Sequence, residues 1–151
     1  MAANTSPIFG AVPNVQVGGA VLGPTAVTAQ DGTGATPIIF MSTGANGAWV
    51  DRVVLKSVGS PAATVARVFY CTSTVASGSF TPGTTNTAAN TSMLAEASIA
   101  AVTTSNTVAQ NDIVIPIRMQ LPANTKLLIG FGTSTGAAGT GYAVTTVGVD
   151  Y

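Results

Sequence analysis

The sequence contains no histidine, a single cysteine and only five carboxylate side chains. Histidine is the commonest general base and the commonest neutral metal ligand, so its absence removes the usual acid–base and zinc chemistry. A glycosidase-like pair needs two acids that face each other, and the acids here are scattered. They are Asp31, Asp51, Glu96, Asp112 and Asp150. We therefore predict that the protein is not an enzyme and has no catalytic residues, no cofactor and no metal site.

Charge of either sign is also scarce. Only 7% of the residues are charged, and five Lys+Arg balance five Asp+Glu. With a mean hydropathy of +0.47, such a chain should collapse into a core while remaining poorly protected against association. We infer that much of its surface is covered, by copies of itself or by a larger assembly; the alternative is that Thr, Ser and Asn keep it soluble. Without a basic patch, neither nucleic acid nor an anionic membrane is an expected partner.

Targeting signals and long apolar runs are missing too. The first residues have no basic region followed by an apolar stretch, so no secretory signal is predicted. No run approaches the roughly 18 apolar residues that mark a spanning helix. We expect synthesis in a cytoplasm. Cys71 has no partner for an internal disulfide and follows an apolar run, which favours a buried, inert thiol.

Glycine-rich stretches at 32–34 and 136–141 lack the Lys-Ser/Thr ending of a phosphate-binding loop, and no helix pattern follows them. Turns between strands explain them better. Asp31, in Gln-Asp-Gly-Thr-Gly, is typical of a turn residue, although with nearby carbonyls it could supply part of a calcium site.

Short runs of β-branched and aromatic residues, separated by Gly, Pro, Asn and Asp, predict about seven or eight strands. The segment 92–102 is rich in Ala and Leu, which favours helix, but poor helix formers follow it and a strand is preferred. The predicted strands span 37–42, 49–58, 64–72, 92–102, 111–122, 126–133 and 142–151. We predict an all-β fold, an antiparallel β-sandwich that is Greek-key or jelly-roll-like, with an extended N-terminal arm.

Alternation with a period of two assigns side chains to the two faces of each strand. Trp49 is assigned to the core face with Val53 and Leu55. Asp51 interrupts that face, which indicates a bulge or a strand start. The strand 64–72 carries bulky residues on both faces, so we predict a central strand covered on both sides.

The clearest alternation runs through 111–122, where the isoleucines are predicted to face the core. Pro116 lacks an N–H donor, which predicts either an edge strand or a proline nitrogen that faces away from a partner strand. The polar segment 73–91 is predicted to be a long loop, either a surface loop or an interface arm. The aromatic residues could form a sugar-stacking platform, but most lie in strand patterns, which favours core packing.

The first residues are interpreted separately from the sandwich. We predict an N-terminal arm with a possible short strand over 1–27 and the β-sandwich domain over 28–151. Pro7, Ile8 and Phe9 are the candidate partner-contact residues of the arm, because an extended segment can bury apolar anchors on a partner. A frayed terminus is the alternative.

Five motifs of turns and core strands stand out: Asp31-Gly-Thr-Gly34, Phe40, Thr43-Gly-Ala-Asn-Gly47, Val50-Asp-Arg-Val53 and Leu121-Pro-Ala-Asn-Thr-Lys-Leu127. Together they resemble those of small phage-encoded β-sandwich virion proteins of the capsid decoration, or cement, type. Asn124 stands where glycine is common in that group, a change that a turn with positive φ allows. The motif positions are structural, so no functional residues are carried over.

The resemblance implies a structural virion protein that stabilises a tailed-phage head by binding between capsomers. Its expected partners are the major capsid protein and copies of itself, with a homotrimer favoured. Its expected location is the capsid surface of the virion, after synthesis in the host cytoplasm. A tail or fibre structural module and a carbohydrate-binding β-sandwich remain the alternatives.

Overall fold

The computed structural model describes residues 12–22, 25–34, 38–107, 109–110, 112–136 and 139–151, and for 12–22 and 38–40 it describes the backbone alone. The described chain forms eight strands and a short 3-10 helix at Ser77–Ser79. The strands are β1 (Val12–Leu22), β2 (Ile38–Ser42), β3 (Ala48–Val58), β4 (Thr64–Cys71), β5 (Thr91–Ile99), β6 (Ile113–Leu121), β7 (Lys126–Phe131) and β8 (Gly141–Asp150).

The strands form two four-stranded antiparallel sheets. The front sheet has the order β1-β8-β3-β6 and the back sheet the order β2-β7-β4-β5. Only β4 and β5 are both consecutive in the chain and paired; the other successive strands lie in opposite sheets. This is the strand order of an eight-stranded jelly roll. The predicted all-β sandwich of Greek-key or jelly-roll type is therefore confirmed.

The main core lies between the two sheets, where alternate residues of each strand meet. Val53 and Leu55 of the front sheet and Ile129 of the back sheet are buried there. The ring of Tyr142 stacks on that of Phe131, with centroids 5.1 Å apart and planes at 27°. Burial raises the pKa of Tyr142, because a phenolate loses its hydration in this environment.

The alternation in β6 is confirmed. Ile115 is buried, and Ile113, Ile117 and Met119 pack against the same core. β6 pairs only with β3 and forms the edge of the front sheet. Pro116 therefore lies in an edge strand, as its missing donor predicts.

A second, smaller core lies on the outer side of the back sheet. Phe69 and Cys71 of β4 and Leu128 of β7 pack there under Val27 and Phe80. Val27 belongs to the connection from β1 to β2, and Phe80 to the long loop from β4 to β5. The prediction that 64–72 is a strand covered on both sides is confirmed, as is the buried Cys71 thiol.

The segment 92–102 forms a strand rather than a helix, since β5 spans Thr91–Ile99. Within the predicted arm, the possible short strand is the 11-residue β1, which hydrogen-bonds along β8 in the front sheet. The contact residues Pro7, Ile8 and Phe9 lie outside the described residues. The division at 27/28 stays a prediction.

Candidate interaction face

A pair of bulges shapes the middle of the front sheet. Val50 pairs with Gly148 and Arg52 with Val147, so Asp51 is an extra residue in β3. This confirms the bulge expected near Asp51. Strand β6, which pairs with the other edge of β3, also has one extra residue opposite this bulge. Arg118, in this part of β6, has a φ of 50°. Positive φ is uncommon outside glycine, so the paired bulges hold β6 in a strained conformation.

The bulge reverses the predicted orientation of Trp49. An extra residue shifts the alternation by one, so that Trp49 no longer shares a face with Val53. Its neighbours Ala48 and Val50 are fully buried, whereas Trp49 is 39% exposed on the outer side of the sheet. The assignment of Trp49 to the core was wrong, because simple alternation was carried through the bulge.

Cross-strand pairs place further apolar residues beside Trp49 on the outer side. Val149 and Gln120 flank Trp49, and Val114 pairs with Val54. We call this surface the front face. It comprises Trp49, Arg52, Val54, Lys56, Val114, Pro116, Arg118, Gln120, Val147 and Val149.

The front face is more apolar than a solvated sheet face requires. An antiparallel sheet with one face exposed to water normally has polar residues at its outward positions. Here Val114 is 51% exposed beside the half-buried Val54, and Trp49 is 39% exposed beside the half-buried Val149. Val147 lies between these two pairs on the same face. Contiguous exposed apolar residues, unlike single ones, mark interaction sites.

Three cations accompany the apolar residues. Arg52 pairs with its neighbour Asp51, and Lys56 lies 3.3 Å from Asp112. Such exposed pairs contribute about 0–1 kcal/mol each. Arg118 has no ion pair with any residue the structure describes. An exposed Trp with an uncompensated Arg nearby is the composition typical of energetically dominant residues in protein interfaces.

The aromatic residues do not assemble into a sugar-stacking platform within the described chain. Phe69, Phe131 and Tyr142 are buried and Phe80 is nearly so, which leaves Trp49 as the strongly exposed ring there. Tyr151 is half-buried, and its backbone carbonyl accepts a hydrogen bond from Asn46 Nδ2. The prediction that most aromatics pack in the core is confirmed for these side chains.

Asp31, the residue considered for a calcium site, has its hydrogen-bond partners within its own turn. The Asp31 carboxylate accepts hydrogen bonds from Oγ1 (2.7 Å) and the backbone N–H (3.0 Å) of Thr33, and these bonds lower its pKa. Asp31 is thus a turn residue, as predicted. No group of three His, Cys, Asp or Glu residues that could share a metal ion occurs in the described chain. No helix among these residues is long and apolar enough to cross a membrane.

The 73–91 segment is a loop whose residues are mostly exposed, but Asn86 anchors it. Asn86 is 1% exposed, and its Nδ2 donates to the carbonyls of Gly32 and Gly34. Its Oδ1 accepts from the backbone N–H of Gly83 at 2.7 Å. One amide therefore connects the two segments that cover the back sheet. Its importance could not be read from the sequence, where Asn86 is one of many polar residues.

Replacing Asn86 with alanine should destabilise this cover by about 1–3 kcal/mol, because buried backbone groups lose their partners. Hydrogen exchange should then accelerate in residues 27–34 and 80–90 while β3 and β8 stay protected. Asn106→Ala, at an exposed loop position, is the control. Unchanged exchange in both segments of Asn86→Ala would show that Asn86 does not hold the cover.

No family model matches the chain, and searches of curated proteins and of solved structures found no significant match. The fold therefore rests on the strand order, and the resemblance to phage virion proteins stays a prediction.

Proposed function

We propose that this protein is a structural assembly protein that binds other proteins through its front face, and specifically a capsid decoration protein of a tailed phage. The observation that carries the proposal is that the chain's own loops cover the middle strands of the back sheet, whereas apolar residues of the front sheet stay exposed. The chain's own loops bury the outer side of the back sheet, around Phe69 and Leu128. The front face instead leaves Trp49 and Val114 exposed.

The physical basis is the burial of apolar area. Each square ångström of apolar surface removed from water contributes about 25 cal/mol. Of the roughly 150–250 Å² that a tryptophan can bury, the 39% of Trp49 that is still exposed is available to a partner. A rigid sheet face that carries Trp49 near one end can therefore bind a neighbouring protein without catalysing any reaction. This is what a cement protein requires when it bridges capsomers.

The proposed partners are the major capsid protein and further copies of this chain, with a trimer as the favoured state. Scarce charge agrees with this proposal, since a chain with 7% charged residues has little protection against association once an apolar face is exposed. Arg118 supplies a cation at the same face and favours an acidic group opposite it.

The proposal is tested by adding the purified protein to heads of the encoding phage that lack it. We expect co-sedimentation with the heads and a higher temperature of head disruption, because a ligand of the native particle stabilises it. Absence of binding to heads and to every other virion protein would refute the proposal. Binding to tails alone, or to glycans on an array, would replace it with one of the other two functions.

Trp49→Ala should weaken binding to heads by about 2 kcal/mol, or roughly 30-fold, because interface tryptophans commonly dominate the binding free energy. Met93→Ala is a matched control, since Met93 is 40% exposed but lies in β5 of the back sheet. Trp49 is the single tryptophan, so its fluorescence should shift to the blue on binding. Equal affinities of Trp49→Ala and wild type would show that the front face is not the contact surface.

A further inference from the structure

Lys126 is a buried lysine whose ammonium has no carboxylate partner in the described chain. It is 3% exposed and begins β7 on the outer side of the back sheet. Its Nζ donates to the carbonyl of Ser73 at 2.7 Å and lies 5.9 Å from the ring centroid of Phe80. All five acids of the sequence belong to the described residues, and none pairs with Lys126.

Arg67 is the other buried cation on this side of the back sheet, and unlike Lys126 it has an acidic partner. Arg67 is 9% exposed. Its Nε lies 3.3 Å from Oε1 of Glu96, and its NH1 donates to the carbonyl of Val27 at 2.9 Å. Buried charges in proteins are normally paired, because an isolated ion loses its hydration without compensation. Lys126 departs from this rule although Arg67 follows it.

A cavity of about 200 Å³ adjoins Lys126 at the end of the sandwich where three connections between strands meet. Hydroxyl and amide side chains line it, from Ser42, Thr74, Ser77 and Asn124. The ammonium of Lys126 has three N–H donors, of which Ser73 takes one. The Ser42 and Ser77 hydroxyls hydrogen-bond to each other at 2.6 Å. The cavity therefore combines one buried positive charge with the neutral donors of Thr74 and Asn124.

We propose that this cavity binds a single carboxylate group. One ammonium balances one carboxylate, whereas a phosphate group with about 1.5–2 negative charges would leave an excess buried charge. A charged hydrogen bond from the ammonium, supported by hydroxyl and amide donors, is the usual way to hold a carboxylate. The group could come from an acidic side chain of a partner protein or from a free small carboxylate. The site lies in the back sheet and is independent of the front face.

The test uses the lysine side chains as reporters, since Lys56 and Lys126 are the two lysines of the sequence. Acetate is titrated at constant ionic strength while their Cε–Hε signals are followed by NMR. We expect a saturable shift at Lys126 and no saturable shift at Lys56, which is exposed and paired with Asp112. Phosphate and chloride should give weaker effects. Acetyl-aspartate amide, but not acetyl-asparagine amide, should compete if a partner's acidic side chain is the source; competition by acetate without acetyl-aspartate amide points to a free carboxylate.

Asn124→Gly is the informative variant, because Asn124 has a φ of 57° that glycine adopts without strain. Loss of its amide should weaken acetate binding about tenfold, the value of one hydrogen bond to a charged group. Lys126→Met is expected to abolish acetate binding. If that variant does not fold, the acetate affinities of Asn124→Gly and Thr74→Val test the proposal instead. Equal responses of Lys126 and Lys56 to acetate, or unchanged acetate binding in both of these variants, would overturn the proposal.

Discussion

Replacing Gly148 with alanine is expected to lower the free energy of unfolding by about 3 kcal/mol or more, at the upper end of the cost of overpacking. Gly148 stands in β8 opposite Val50, where the bulge of β3 begins. A Cβ at this position would collide with the carbonyl oxygen of Trp49 and come within 3.2 Å of Cα of Val50. Both contacts are with backbone, so no side-chain rotation can relieve them. Glycine is required here because the two backbones approach closely.

The measurement is thermal unfolding followed by circular dichroism. A loss of 3 kcal/mol corresponds to a fall in Tm of roughly 10 °C for a chain of this size. Gly78→Ala is the control, because a Cβ on Gly78 meets no atom within 4 Å, and its stability should change by less than about 0.5 kcal/mol. If Gly148→Ala unfolds at the wild-type temperature, the paired bulges are not closely packed as described.

Phe69→Ala should cost about 3–5 kcal/mol, the usual range for removing a buried phenyl ring. Phe69 is fully buried, and it joins β4 to both covering segments through Val27 and Phe80. Its ring also lies about 3 Å from the position that a Cβ on Gly32 would occupy. Removal of the ring therefore leaves a cavity under two loops that have little other apolar support.

Cys71 provides a direct readout of this change, because it is fully buried in the same cluster. The thiol should react with a colorimetric disulfide reagent far faster in Phe69→Ala than in wild type. Val75→Ala, at a 39% exposed loop position, should change neither stability nor thiol reactivity. Slow thiol reaction together with wild-type stability in Phe69→Ala would show that the second core is not cohesive.

Much of the fold could be predicted from the sequence because alternation and turn residues are local signals. In β6, the isoleucines and Pro116 together specify a half-buried edge strand without reference to other strands. The bulky residues on both faces of β4 likewise predicted that this strand is covered on both sides. Strand order could not be read in this way, since five of the six strand pairings join strands that are not consecutive in the chain.

The candidate site was harder to predict than the fold. Trp49 was assigned to the core, because the position of an extra residue in β3 is visible only once the pairing of Asp51 with its neighbours is known. The cavity beside Lys126 has no sequence signal at all: its lining residues Thr43, Ser77 and Asn124 come from three separate connections.

By itself the sequence determined that the chain is built from short strands of an antiparallel all-β fold, since its period-two alternation and frequent turn residues are typical of that class. The absence of histidine and the scarcity of charge led to the hypothesis of contact surfaces, which stays a prediction. Only the tertiary structure decided which face stays exposed and which cation is buried without an acid. The physical reason is that exposure and ion pairing depend on which loops fold over which sheet, and those contacts join residues that local sequence patterns do not connect.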